Sequence, residues 1–532
     1  MGDFTPPATT SRLQTTVTSA FAAAYARFAA HVAIESETGE TLTYAELGDR
    51  ARRIAGGLAA LGVQKGDRVV IVTKNRPEAI VLDHASAAGG FGRVALSFRL
   101  HPREIADAAL DCTAAVAFVE GDYEEAVAEA FAAAGVATRI IAIDESRTAA
   151  IGYADLLRSE PIVSPEVDPE DIAQLSYTSG TTGRPKGVIL SHRSLMACAR
   201  NLMVELDRLE TSDVVLHVAP LTHLSGYLSV PLMMRGTRQI PVAAFDPVET
   251  LRLIEERGVT ILPAVPTMLN LLLPALDAGD HDTSSLHTVV YGGSAIAPAR
   301  LQKLGQHLGD VFLQVYGLTE VPFPLVSLSK EEHRFDPDQP PPARLAAAGR
   351  VTPFVQIRLV DDDGDDVAEG ESGEIWVRAD TMMSGYWGNP EGTSELLRPG
   401  GWAATGDVAR IEDGYLYIVD RKKDMIVSGG FNIYPAEIES VLYGIEGVRE
   451  VAVVGSPSVQ WGETVKAFLS LHPGAEVTVA QVEDVCARLI APYKRPRLVE
   501  IIDEIPKAST GKIQRRVLRD REWANAPRKI GE

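Results

Sequence analysis

Short β-branched and apolar runs alternate with alanine-rich stretches through the first two thirds of the chain. That alternation predicts parallel sheets covered by helices. Arg68–Thr73 (RVVIVT) reads as a strand leading into a helix over Pro77–Ala88, and Arg93–Ser97 as the next strand. Ala114–Glu120 and Arg139–Asp144 continue the series. Pro161–Pro169, polar and proline-bearing, reads as a linker, after which the same grammar restarts with Ile172–Thr178. Val214–Val218, Val259–Leu262, Thr288–Tyr291 and Val311–Tyr316 are the further strands of what we expect to be two α/β subdomains.

The pattern changes after Arg334–Pro342, which is charged and rich in proline. Phe354–Val360, the acidic turn Asp361–Asp366 and Glu374–Arg378 predict a hairpin in a small β-rich subdomain. The acids of that turn are assigned to solvent rather than to a metal. From Asp420 onward a compact α+β unit is expected, with helices over Pro435–Tyr443 and Val479–Ile490 and strands over Glu450–Gly455, Val465–Leu471 and Leu498–Ile502. The fold class is therefore α/β, with a large N-terminal part and a small α+β C-terminal domain.

Composition narrows the function. A chain of 532 residues, 45% hydrophobic, has ample core for several domains. Cys112, Cys198 and Cys486 show no pairing interval or metal-ligand spacing, so they are expected as buried apolar residues in a reducing compartment. The net charge of -21 disfavours a nucleic-acid partner. Phe21–Val32 is interrupted by Arg27 and His31, and no apolar run approaches the ~18 residues of a membrane span. A cytoplasmic protein with no membrane span is expected.

The strongest local signal is Thr178–Gly187, TSGTTGRPKG, which follows one β-like run and leads into another, Val188–Leu190. Its three glycines allow close backbone approach to an anion, and its four hydroxyls, on Thr178, Ser179, Thr181 and Thr182, can donate to phosphate oxygens. Lys186 adds a mobile positive charge. The loop is not the Walker pattern, because Pro185 stands where the spacing from Gly180 requires a second glycine.

Further motifs follow in a fixed order: GGSA at Gly292–Ala295, YGLTE at Tyr316–Glu320, TGD at Thr405–Asp407, YIVDRKKD at Tyr417–Asp424, GGFNIYPAEIE at Gly429–Glu439 and PKASTGKIQR at Pro506–Arg515. With the phosphate loop they span most of the chain, which resembles the adenylate-forming superfamily of acyl-CoA synthetases, adenylation domains and firefly-type luciferases. The resemblance implies a phosphate-binding loop at Thr178, Ser179, Gly180, Thr181, Thr182 and Lys186, and an adenine site formed by Tyr316 and Gly317 with Gly292, Gly293 and Ser294. It implies that Thr319 bonds the α-phosphate, that Glu320 holds Mg²⁺, a cation suited to carboxylate and phosphate oxygens, and that Asp407 accepts the ribose hydroxyls with Arg421 nearby. Lys512 is implied to bridge substrate carboxylate and α-phosphate, where converging negative charge favours a cation. The same resemblance implies domains 1–419 and 420–532, a hinge at Asp420, and a coenzyme A path along Gly429 and Gly430.

The acid-binding pocket is implied by PLTHLSG, Pro220–Gly226, which places His223 at the boundary of the ATP and acyl sites. Tyr227 and Leu228 extend an apolar wall, and no acid occurs from Leu221 through Val230. A substrate α-ammonium would lack a partner there, so a hydrophobic non-amino acid is favoured. Fatty, aryl and polycyclic acids all fit. The expected reaction is ATP-dependent acyl-AMP formation followed by transfer to coenzyme A. Transfer to a carrier protein or separate partner enzyme is the alternative, and luciferase-like oxidation and non-catalytic nucleotide binding are the remaining rivals.

Overall fold

In the computed structural model the described residues are 15–146, 149, 151–178, 185–279, 281–336, 339–428, 431–458, 460–508 and 512–524. The chain forms two compact units. One comprises Met1–Ala244, Thr319–Pro322 and Asp380–Pro390, and the other Phe245–Leu318, Phe323–Ala379 and Glu391–Glu532.

The first unit is built on a seven-stranded sheet. Its order is Gly385–Tyr386, Lys186–Ser191, Ile172–Thr178, Gly92–Ser97, Arg68–Thr73, Val116–Val119 and Arg139–Ala142. The last five run parallel, and Lys186–Ser191 is antiparallel to both of its neighbours. Arg68–Thr73 is almost continuously apolar because both faces are covered, as parallel sheets require. Val70, Val72, Val94, Ala117 and Leu175 pack in one core with Ile105 and Phe131 from the helices Pro102–Asp111 and Gly121–Ala134. A second group in this unit runs Val214–His217, Arg238–Pro241 and Val32–Glu35 in parallel, with Thr41–Thr43 antiparallel to Val32–Glu35.

The second unit contains the parallel strands Ile261–Ala264, Thr288–Gly292 and Phe312–Tyr316, then Val326–Leu328 and Arg350–Val351 antiparallel. The predicted hairpin is present, with Val355–Val360 antiparallel to Gly373–Ala379 and Val360 opposite Glu374. Trp402–Glu412 pairs next, followed by Tyr415–Arg421. The C-terminal part of this unit centres on the long antiparallel pair Val448–Ser458 and Gly462–Leu471, flanked by Leu498–Ile501 and Ile426–Ser428. Helices Pro435–Leu442 and Val479–Leu489 bury Ile438, Leu442, Val482 and Cys486 with Val451, Val453, Ala467 and Leu469 of that pair. All three cysteines are buried and unbridged.

Candidate active site

Two antiparallel strands flank the phosphate-loop motif. Thr178 ends the strand Ile172–Thr178 and lies opposite Lys186, the first residue of Lys186–Ser191. Ser179, Gly180, Thr181 and Thr182 lie outside the described residues. Lys186 Nζ rests 4.9 Å from the centroid of the Tyr386 ring. Tyr386 comes from the edge strand Gly385–Tyr386, and its hydroxyl donates to Glu320 Oε1 at 2.8 Å. Thr319 and Glu320 belong to the same unit and are half-buried. A single lysine, a carboxylate and an aromatic ring are thus tied together. Tyr386 had no motif to mark it, and only the pairing of distant strands reveals it.

A single carboxylate such as Glu320 suits Mg²⁺, which usually takes one or two protein carboxylates and fills its octahedron with phosphate oxygens and water. Among the described residues no group of three or more His, Cys, Asp or Glu can cage a metal. A lone carboxylate of this kind suits a cation that brings its own phosphate and water ligands.

The segment Pro220–Leu228 is in the same unit. His223 immediately precedes helix Leu224–Met233, and its Nδ1 lies 2.7 Å from Thr222 Oγ1. Leu228 is fully buried, and burial pushes the Tyr227 hydroxyl well above the ordinary tyrosine range. The Arg93 guanidinium, buried and paired with Asp83, donates to the Leu221 carbonyl at 3.1 Å and to Gln174 Oε1 at 3.0 Å. The guanidinium that touches this segment is thus itself neutralised by an acid.

In the other unit, Gly292 and Tyr316 terminate adjacent parallel strands, with Gly292 opposite Val315. Carboxyl ends of parallel strands are where α/β sheets take ligands. A Cβ at Gly292 would lie 2.2 Å from the Val315 carbonyl oxygen, so only glycine permits that spacing. Gly293 follows with φ +87°, and Ser294 is exposed. Gly317, directly after Tyr316, turns the chain so closely past Phe323 that a Cβ would meet its backbone nitrogen at 2.6 Å.

Asp407 and Arg421 face each other across the antiparallel strands Trp402–Glu412 and Tyr415–Arg421. Arg421 Nε lies 3.1 Å from Asp407 Oδ1, and the Tyr316 hydroxyl donates to Asp407 Oδ2 at 2.7 Å. Burial, and next to it the Asp407 charge, hold the Tyr316 hydroxyl protonated far beyond neutral pH. Each Asp407 oxygen already has one partner, and the second lone pair of each leaves room for a vicinal diol.

Lys512 belongs to this unit as well. Lys507 and Ile513 form an isolated bridge, and Ala508 N–H donates to the Lys512 carbonyl at 2.7 Å. Its ammonium reaches Gly293: a Cβ built there would lie 3.5 Å from Lys512 Cε and 3.7 Å from Nζ. Residues some 219 positions apart in sequence, 512 less 293, are therefore neighbours.

Asp420 is buried one residue before Arg421. It accepts the N–H groups of Arg421 at 2.7 Å and Ala436 at 2.8 Å. Arg515 binds Glu439 at 2.5 Å and comes within 3.6 Å of Asp424 and 4.0 Å of Asp420. Burial outweighs these partners and pushes the Asp420 carboxyl up to about 6. Gly429 and Gly430 lie outside the described residues.

The AMP-binding enzyme family model matches residues 21–387, and the AMP-binding enzyme C-terminal domain matches residues 437–512. A feruloyl-CoA synthase of an Amycolatopsis species is 38% identical over 93% of this chain and 97% of its own. A fatty acid–[acyl-carrier-protein] ligase of Streptomyces coeruleorubidus is 36% identical over 92% of this chain and 94% of its own. Among solved structures, an anthranilate CoA ligase in complex with anthranoyl-AMP superimposes with a TM-score of 0.87 at 27% identity, covering 96% of this chain and 98% of that one. With the motifs in family order and both family models matched, the chain belongs to the adenylate-forming, AMP-binding enzyme family.

Proposed function

We propose that this protein is an AMP-forming acid–thiol ligase that joins a hydrophobic carboxylic acid to coenzyme A through an acyl-adenylate, with Lys512 acting in the first half-reaction. The observation that carries this reading is the reach of Lys512 to Gly293, in the unit that holds Tyr316, Asp407 and Arg421. A carboxylate oxygen of the acid attacks the α-phosphorus of ATP, an oxygen–phosphorus bond forms, and pyrophosphate leaves. Lys512 offsets the negative charge that gathers at that phosphorus, and Thr319 donates to an α-phosphate oxygen. Tyr316 with Gly292–Ser294 is the proposed adenine site, and Asp407 with Arg421 the ribose site.

Glu320 would hold Mg²⁺ and Lys186 would bind the leaving phosphates; the metal, when bound, neutralises polyphosphate charge. In the second half-reaction a thiol attacks the acyl carbon and AMP leaves. Rotation about Asp420, the proposed boundary between domains 1–419 and 420–532, would remove Lys512 and admit the thiol past Gly429 and Gly430. His223 and Tyr227 would border the acid.

The pocket reading rests on the acid-free segment Leu221–Val230. Pyrophosphate release from 3-phenylpropionate is therefore expected to exceed that from phenylalanine by at least about tenfold, since a buried unpaired ammonium costs several kcal/mol. A faster reaction with the amino acid would overturn the pocket assignment. The carrier-protein ligase relative favours one second reading, an acceptor thiol on a carrier protein. Running the assay with coenzyme A and then with a phosphopantetheinylated carrier separates the two acceptors.

A further inference from the structure

The edge strand Gly385–Tyr386 is fixed to two other chain segments at once. Tyr386 pairs with Val188 in the strand that begins at Lys186, Trp387 N–H donates to the Gly187 carbonyl at 2.7 Å, and Ser384 N–H to the Ile189 carbonyl at 2.9 Å. Met383 N–H donates to the Glu320 carbonyl at 2.8 Å. The segment is anchored beyond the site by the Trp387 indole, which donates to the Asp111 carbonyl at 3.0 Å and lies under the Arg68 guanidinium. Tyr386 is only 8% exposed, so its ring has little freedom.

The two ends of this side chain do different work. The hydroxyl donates to Glu320 Oε1, and the ring face carries the Lys186 ammonium. Fixing one carboxylate oxygen sets the direction of the other, which is how outer partners orient metal-binding acids. A cation on a ring face has no counter-charge to leave behind, so phosphate oxygens can take it over without stranding an anion.

We propose that Tyr386 is a positioning residue that holds the metal-binding carboxylate and the phosphate-loop lysine in register before nucleotide arrives. This rests on the assignment of Glu320 and Lys186 to phosphate and metal binding made above. It adds a residue outside the sequence motifs and gives its two ends separable tasks.

The test uses the full chain and three variants, Tyr386→Phe, Tyr386→Leu and Glu320→Gln, with Mn²⁺ as the metal probe. Mn²⁺ binding in the presence of a non-hydrolysable ATP analogue is followed by electron paramagnetic resonance, and metal-free binding of the analogue by calorimetry. Tyr386→Phe is expected to weaken Mn²⁺ binding about tenfold, the lower end for loss of an outer orienting partner, with metal-free nucleotide affinity unchanged. Tyr386→Leu should show the same metal defect and a further loss of about threefold in metal-free affinity, because the ring face is gone.

A purely structural role would lower the thermal midpoint and both affinities together, and would not split Phe from Leu; that outcome overturns the proposal. Wild-type Mn²⁺ binding by Tyr386→Phe, with binding weakened in Glu320→Gln, overturns the Tyr386 proposal and spares Glu320. Unchanged binding in both removes the Glu320 assignment and the proposal with it. Should Tyr386→Leu fail to fold, the Phe variant alone decides the metal half.

Discussion

Asp407 shows what a single side chain is asked to do. It is buried, takes a hydroxyl from Tyr316 and a guanidinium from Arg421, and keeps a second lone pair on each oxygen, as the proposed ribose site requires. Asp407→Asn keeps the shape and removes the charge, and hydrogen bonds to charged groups contribute about 1.5–3 kcal/mol each. We expect ATP affinity to fall by at least tenfold in calorimetry, whereas Tyr316→Phe, which leaves the carboxylate in place, should lose less than Asp407→Asn. Equal binding by Asp407→Asn and wild type would contradict the ribose assignment. Asp420 makes a different prediction. Its carboxyl is raised in the folded state to about 6, so the folded state favours the protonated form; its contribution is fully present below the unfolded value near 3.9 and is lost as pH rises through about 6. The stability of Asp420→Asn relative to wild type should therefore increase by about 3 kcal/mol between pH 3.5 and pH 7, read from urea unfolding at each pH. A difference that stays flat with pH would show that Asp420 ionises as freely in the fold as outside it.

At the scale of elements, the close approach of Thr288–Gly292 and Phe312–Tyr316 sets Gly292 against Val315, beside the proposed adenine residue Tyr316. Gly292→Ala would push a methyl against the Val315 carbonyl, which is backbone and cannot rotate away. We expect a loss of about 1–3 kcal/mol in unfolding free energy, as for other overpacked sites, together with weaker nucleotide binding. An unchanged melting curve would mean the strands can part there freely. Such elements were legible in the chain because their pattern is local: RVVIVT announces a doubly covered strand, and Val355–Val360 with Gly373–Ala379 announces a hairpin. The short strand Gly385–Tyr386 was not legible. Two residues carry no periodicity, and its role comes from pairing with Lys186–Ser191, nearly two hundred positions earlier. For the same reason the Tyr316–Asp407 hydrogen bond, between residues 91 positions apart, and the Arg515–Glu439 pair that backs Asp420 had no signal in the sequence. The motifs mark residues assigned to ligands; partners that merely hold those residues leave no pattern.

For the whole molecule, the chain distributes its groups between two compact units. One holds Lys186, Glu320, Thr319 and the His223 segment, and the other holds Tyr316, Asp407, Arg421, Asp420 and Lys512. The motif YGLTE crosses the division, with Tyr316 in one unit and Glu320 in the other. Among the described residues no helix is long and apolar enough to cross a membrane. The central claim is that Lys512 serves acyl-AMP formation and not thioester formation. The direct measurement is a single-turnover experiment on Lys512→Ala with labelled acid, first from acid and ATP, then from synthetic acyl-AMP and coenzyme A. The account predicts that acyl-AMP formation falls by about 10²–10³, as when a charge-stabilising group is removed, while acyl-AMP is still converted to thioester at close to the wild-type rate. Equal loss of both half-reactions in a folded variant would contradict it.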